Sequence, residues 1–127
     1  MEDTKLNTLT GKIIGSAIQV HQYLGPGLLE SAYELCLCHE FNLVNIKFER
    51  QKPIPLKYKN IFIKFAYKAD IIVENSIIVE IKTVKSIEPI HEAQLLTYLK
   101  LLQLPIGLIL NFNVRYLKDG IKRMVFN

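Results

Sequence analysis

Ser76-Ile77-Ile78-Val79-Glu80-Ile81-Lys82-Thr83-Val84 is apolar enough to be a β-strand covered on both faces, yet it contains Glu80 and Lys82. Two positions apart on a strand, their side chains emerge on the same face. An ionised group in a dry interior costs several kcal/mol unless it is paired or bound to a metal. The stretch before it repeats the anomaly at Asp70, set among Ala69, Ile71, Ile72 and Val73. Three charges in two apolar strands need a physical reason.

The plain reason is an internal salt bridge from Lys82 to Glu80 or Asp70, or strand ends that reach solvent. The chemical reason is a cation site. Two carboxylates suit Mg²⁺ or Mn²⁺, hard ions that prefer oxygen ligands. A lysine beside them can orient a water and stabilise charge as that water attacks a phosphodiester. The Glu-x-Lys pattern alone decides nothing, because nine Glu and thirteen Lys in the chain produce such triplets by chance.

The spacing also sets a geometric condition. In an antiparallel hairpin Asp70 faces Glu80 only if Val73 pairs with Ile77, which leaves Glu74-Asn75-Ser76 as a three-residue loop. A two-residue loop would throw the carboxylates onto opposite faces. The three-residue loop, or a bulge restoring its phase, is therefore expected.

Outward from this hairpin, Ile61 to Val73 reads as the strand before the loop and Ile77 to Val84 as the strand after it. Before the Lys59-Asn60 turn, Lys47 to Tyr58 alternates apolar with basic residues and carries Pro53 and Pro55, which predicts an edge strand. Upstream, Leu6, Leu9, Ile13, Ala17, Val20 and Leu24 recur in helical steps and stop at Gly25-Pro26-Gly27. A second helix is expected from Leu28 to Leu43. Downstream, Pro89 opens a helix to about Leu102, and Ile106 to Phe112 reads as a strand buried on both faces. Asp119-Gly120 predicts a hairpin turn joining Tyr116-Leu117 to Lys122 through Phe126. The order is α, α, β, β, β, α, β and a closing hairpin, an α/β arrangement of a mixed sheet flanked by helices.

At 127 residues the chain fits one domain, 1–127. It is 50% hydrophobic and 22% charged, ordinary for a globular protein and wrong for a disordered one. Mean hydropathy is +0.18, which fits a well-filled core or an apolar surface used for self-association. Net charge is +4 and the pI about 9.1, helpful for phosphate-rich partners without establishing them. No run approaches a membrane span, and the charged opening from Met1 to Lys5 is unlike a signal peptide. The expected location is cytoplasmic.

Asp70, nine residues and then Glu80-Ile81-Lys82 resembles the Asp…(Asp/Glu)-x-Lys signature of PD-(D/E)XK nucleases. Gly27-Leu28-Leu29-Glu30-Ser31-Ala32-Tyr33 is similar to the Gly-x-x-Glu-x-x-Tyr motif of the GxxExxY family, a branch assigned to that superfamily. His91-Glu92-Ala93-Gln94, with Tyr98 four residues on, resembles the Gln-x-x-x-Tyr helix of its exonuclease-like members. The resemblance runs from about Ile13 to Val125. Each motif is loose alone; together and in this order they are specific.

The resemblance implies a restriction-endonuclease-like core and a Mg²⁺- (or Mn²⁺-) dependent nuclease acting on DNA or RNA. It implies Asp70 and Glu80 as metal ligands, joined by the backbone carbonyl of Ile81. Lys82 would position the attacking water, and Glu30 would support the metal directly or through water. Gln94 and Tyr98 would shape the site from one helical face. Small nucleases of this fold often pair, so a homodimer is left open. The competing reading is a non-catalytic nucleic-acid-binding or protein-interaction module that keeps the nuclease fold; a third is a structural subunit that self-associates through its first helix.

Several residues have plainer readings. Without the motif, Glu30 would face solvent beside Glu34 and Glu40, and Tyr33 would pack a helix on the sheet. Cys36 and Cys38 lack the spacing and second cluster of a zinc site and read as buried thiols. His91-Glu92 starts like a zinc-protease motif, but Leu95 stands where the second histidine belongs. Lys57, Lys59, Lys64 and Lys68 read as phosphate contacts or as protection of a strand edge.

Overall fold

The computed structural model describes residues 4–127; the first three residues of the charged opening lie outside the described part. Three helices, α1 (Thr4–Leu24), α2 (Glu30–Leu43) and α3 (Pro89–Leu102), flank five strands. The strands are β1 (Phe48–Tyr58), β2 (Ile61–Val73), β3 (Ile77–Lys82), β4 (Ile106–Asn111) and β5 (Ile121–Val125), which lie side by side in that order. Only β3 and β4 run parallel, joined through α3; every other neighbour is antiparallel. This is the α/β fold with a mixed sheet that the element order predicts. Among the described residues, no helix is long and apolar enough to cross a membrane.

Alternation along β3 divides the core in two. Ile77, Val79 and Ile81 join Ile13, Ala17 and Val20 of α1 and Tyr33, Leu37 and Phe41 of α2 on one face. Ile78 joins Leu95, Tyr98 and Leu99 of α3 on the other. Both faces of β3 and β4 are covered, so their near-continuous apolar sequence is what a central parallel pair requires. Gly107 sits under α3, where an added Cβ would meet Leu95 at 2.8 Å; its absence lets the helix lie close to the sheet. β1 is an edge strand, as Pro53 and Pro55 demand.

The turn between β2 and β3 obeys the geometric condition. Val73 pairs with Ile77, Ile72 with Ile78 and Ile71 with Val79, leaving a three-residue loop. Glu74 and Asn75 both take positive φ there, 49° and 53°.

The expected Asp119-Gly120 hairpin turn is corrected. Leu117–Gly120 forms a short 3₁₀ helix, and β5 pairs with β4 itself. Gly120 has no positive φ; an added Cβ would instead collide with the Asn111 carbonyl oxygen. The glycine serves a close approach rather than a tight turn.

Candidate metal centre

The regular pairing of β2 fails at Asp70 on both sides. Its ladder with β3 ends at Ile71–Val79, and its ladder with β1 skips from Arg50–Ile71 to Lys52–Ala69. Opposite it on β1, Gln51 takes φ 51°, a left-handed conformation that costs a non-glycine residue on the order of 1–2 kcal/mol. Ala69 packs on the α3 face, whereas Ile71 and Val73 pack on the other. Steps of two should keep all three together. The strand therefore changes phase at the acid.

In the gap, side chains take over from the ladder. The backbone N–H of Asp70 donates to Glu80 Oε2 at 2.8 Å, and the backbone N–H of Ile81 donates to Asp70 Oδ2 at 2.8 Å. Each carboxylate thus bonds the opposite strand. Glu80 is only 6% exposed. Burial, then the charge of Asp70, pushes its carboxyl up to about 8. Asp70 is also raised, chiefly by burial, against the lowering effect of the Ile81 N–H. Lys82 lies close enough to lower both. It bridges neither acid, since the ion pairs among the described residues are Arg50–Glu34, Lys52–Glu49 and Lys122–Glu92. The plain salt-bridge explanation is excluded.

The backbone after Lys82 is pinned. Phe112 N–H donates to the Lys82 carbonyl, and buried Asn111 accepts from Val84 N–H while donating to Val84 O. Glu30, at the first turn of α2 and exposed, accepts the Thr83 N–H at 3.2 Å, which places it at the mouth of the acid pair. Its charge adds to the upward shift of Asp70. Tyr98 is buried on α3 and held above its usual range, at about 12, first by burial and then by the charge of Glu80. Its ring packs against Tyr67 at 5.4 Å. Gln94 is exposed and shares a cleft with Tyr67, Ile90 and Tyr98, making no direct bond to either acid. Asp70, Glu80, Lys82, Glu30 and Tyr98 thus gather around one point, with Gln94 one turn away.

Glu34, grouped with the solvent-facing acids of its helix, is 5% exposed. It accepts from Arg50 Nη2 at 2.7 Å and Gln51 Nε2 at 2.8 Å, and its charge raises Asp70 and Glu80 further. Its position four residues after Glu30, on the same helical face, was the available signal. Tyr33 is wholly buried, stacked on Phe112 at 4.3 Å, with its hydroxyl donating to Gly25 O; it is a packing residue. Cys36 and Cys38 are free thiols, and burial pushes Cys38 up to about 11.

Among the described residues, no three His, Cys, Asp or Glu side chains converge closely enough to hold an ion. Asp70 and Glu80 with a backbone carbonyl nevertheless fit Mg²⁺, which keeps several waters and takes one or two carboxylates. Their raised, mutually repelling carboxyls are what a divalent cation would relieve. Zinc chemistry, with its nitrogen and sulfur ligands, does not fit. The model of the PD-(D/E)XK nuclease superfamily matches residues 7–124. No curated protein and no solved structure matches.

Proposed function

Because this chain belongs to the PD-(D/E)XK nuclease superfamily, we propose that it is a Mg²⁺- or Mn²⁺-dependent nuclease hydrolysing phosphodiester bonds in DNA or RNA. The observation that carries this reading is the broken ladder at Asp70 and Glu80, where a buried and a half-buried carboxyl each bond the other's strand with an unbridged lysine beside them. A salt bridge would satisfy such acids within the fold. Here no ion pair among the described residues does so, which leaves the acids to a proton or a cation.

Asp70, Glu80 and the Ile81 carbonyl would hold the metal, and Glu30 would support it directly or through water. When bound, the ion supplies Lewis-acid polarisation of a phosphoryl oxygen and eases deprotonation of water. Lys82 orients the attacking water and its ammonium stabilises the developing negative charge. Tyr98 excludes solvent from the α3 side, and Gln94 lines the approach. The basic balance of +4 favours a polyanionic substrate.

Purified protein is expected to degrade DNA or RNA oligonucleotides with Mg²⁺ or Mn²⁺ and to stop doing so as Asp70→Ala. Cleavage that persists in Asp70→Ala and Lys82→Ala would come from elsewhere. Salt-sensitive binding with no cleavage of any substrate would establish the non-catalytic module instead.

A further inference from the structure

From Arg50 through Ala69 the chain has six basic residues and no acid. The rest of it carries ten basic and twelve acidic side chains, so the net +4 comes from this segment alone. The segment folds as the β1–β2 hairpin, which outruns the helices. Ile54 and Ala69 pack with α3, whereas every residue from Lys57 to Phe65 is exposed. Arg50 and Lys52 are paired with Glu34 and Glu49. Lys57, Lys59, Lys64 and Lys68 enter no ion pair among the described residues.

The same arm carries Tyr58, Phe62 and Phe65, which are 57%, 65% and 67% exposed. Lys59 Nζ lies 5.4 Å from the centre of the Tyr58 ring, and Lys64 Nζ lies 5.5 Å from that of Phe65. Between the pairs Ile54–Tyr67 and Leu56–Ile63 the register shifts, setting Lys64, Phe65 and Ala66 against Pro55 alone. Such a bulge bends a strand and re-aims its side chains. Here it takes one ring and its ammonium out of the ladder. Lysines by themselves would be ordinary protection of a strand edge. Edge protection gives no reason for three large rings turned to water, which mark an interaction site.

We propose that this arm grips single-stranded nucleic acid, with Tyr58 and Phe65 stacking on bases and the four unpaired lysines meeting phosphates. The inference rests on the nuclease reading of the Asp70–Glu80 site and names the form of its substrate. A polyanion suits the segment that holds all of the chain's excess positive charge. A duplex would use the lysines alone, because its base faces are stacked on one another and its grooves present only edges. Exposed rings beside ammoniums suit unpaired bases, whose stacking tolerates any sequence. The arm also leads to the acids. β2 runs from Ile61 to Asp70, about 30 Å of strand at about 3.3 Å per residue. Near its inner end Tyr67 packs on Tyr98, which lies within reach of the Glu80 charge. A strand held on the arm would follow β2 to the candidate metal centre.

Fluorescence anisotropy of the full chain in EDTA tests the arm without cleavage. The probes are labelled DNA and RNA oligonucleotides of about 20 nucleotides, each single-stranded and as a blunt duplex. Single strand is expected to bind at least about tenfold more tightly than duplex. Tyr58→Ala and Phe65→Ala should each weaken single-strand binding about tenfold and leave duplex binding within about twofold. Lys59→Gln with Lys64→Gln should make the logarithmic salt slope shallower by about 1.4. Should an alanine variant fail to fold, Phe65→Leu keeps the apolar bulk and reads the same contact. Equal affinity for the two forms overturns the proposal, as do ring variants that bind single strand like wild type. So does a protein that binds vesicles of anionic lipid and no oligonucleotide. Cleavage with Mn²⁺, read at low substrate, separates the two readings. Binding through the rings with no cleavage sinks the nuclease reading alone, and cleavage unchanged in the ring variants sinks the arm alone.

Discussion

Asp70 and Glu80 stand one step beyond the last ladder pair of β2 and β3, and each accepts a backbone N–H from the other's strand or its continuation. Two consequences follow from that exchange. The strands are held apart where a regular sheet would close, and both carboxyls are kept in place without a cation. Relieving their mutual repulsion requires a proton or a metal.

Stability should therefore depend on pH in a direction opposite to that of a salt-bridged acid. Glu80 is raised from an ordinary 4.5 to about 8, so the folded protein keeps a proton that the unfolded chain releases. Below 4.5 both states are protonated and the contribution is whole. As pH climbs towards about 8 the unfolded state ionises first, and stability falls by up to about 1.4 kcal/mol per pH unit before levelling off. The raised Asp70 adds in the same sense. The metal-free Tm should be lower in mildly alkaline than in mildly acidic buffer, and Mn²⁺ should raise it most at the alkaline end. Glu80→Gln should flatten the slope; an unchanged slope in that variant would place the titration elsewhere.

Lys82→Ala separates chemistry from metal binding. Lys82 forms no ion pair and is only half-buried, so its removal should change folding stability by about 0.5 kcal/mol or less. Loss of charge stabilisation should cut cleavage about 10²–10³-fold. Because the ammonium lowers both acids, its removal increases the demand for a cation, and Mn²⁺ affinity should hold or tighten. Calorimetric titration with Mn²⁺ checks this. Weaker binding would make Lys82 a support for the ligands rather than for the water.

The register of this site was legible because side-chain phase on a strand is binary, and charges at 70 and 80 share a face only across an odd loop or a compensating bulge. The α/β order was legible from periodicity and proline placement. Glu34 was not, because its partners Arg50 and Gln51 lie on another element and a charged helix position looks solvated until they are placed. The phase change at Asp70 was equally hidden: Gln51 is an ordinary strand residue in sequence, and its left-handed φ arises where Glu34 holds its amide.

Tyr33→Phe tests whether the third residue of the Gly-x-x-Glu-x-x-Tyr pattern acts in the fold. Its hydroxyl donates to Gly25 O at 2.6 Å and accepts Leu28 N–H at 3.1 Å, fixing the loop that leads into Glu30. Losing both bonds inside the protein should cost about 1–3 kcal/mol. Cleavage by the folded fraction should be unchanged, read as kcat at a temperature well below the melt. A lower kcat with unchanged stability would move Tyr33 into the site.

Two glycine substitutions should move stability in opposite directions, and the contrast tests the 3₁₀ helix that replaced the expected turn. Gly11 is an exposed position within α1, with nothing in reach of an added Cβ, so Gly11→Ala should stabilise by about 0.5–1 kcal/mol through helix propensity. In Gly120→Ala the new methyl strikes the Asn111 carbonyl oxygen, a backbone atom that cannot swing aside. The 3₁₀ helix must lift from β4, at a cost of about 3 kcal/mol. Asn111 also ties down Val84, two residues beyond Lys82, so the strain reaches the pinned end of β3. Urea melts should show the Gly120→Ala midpoint well below wild type and the Gly11→Ala midpoint above it. A neutral Gly120→Ala would mean that this segment takes another path, with Gly120 away from Asn111.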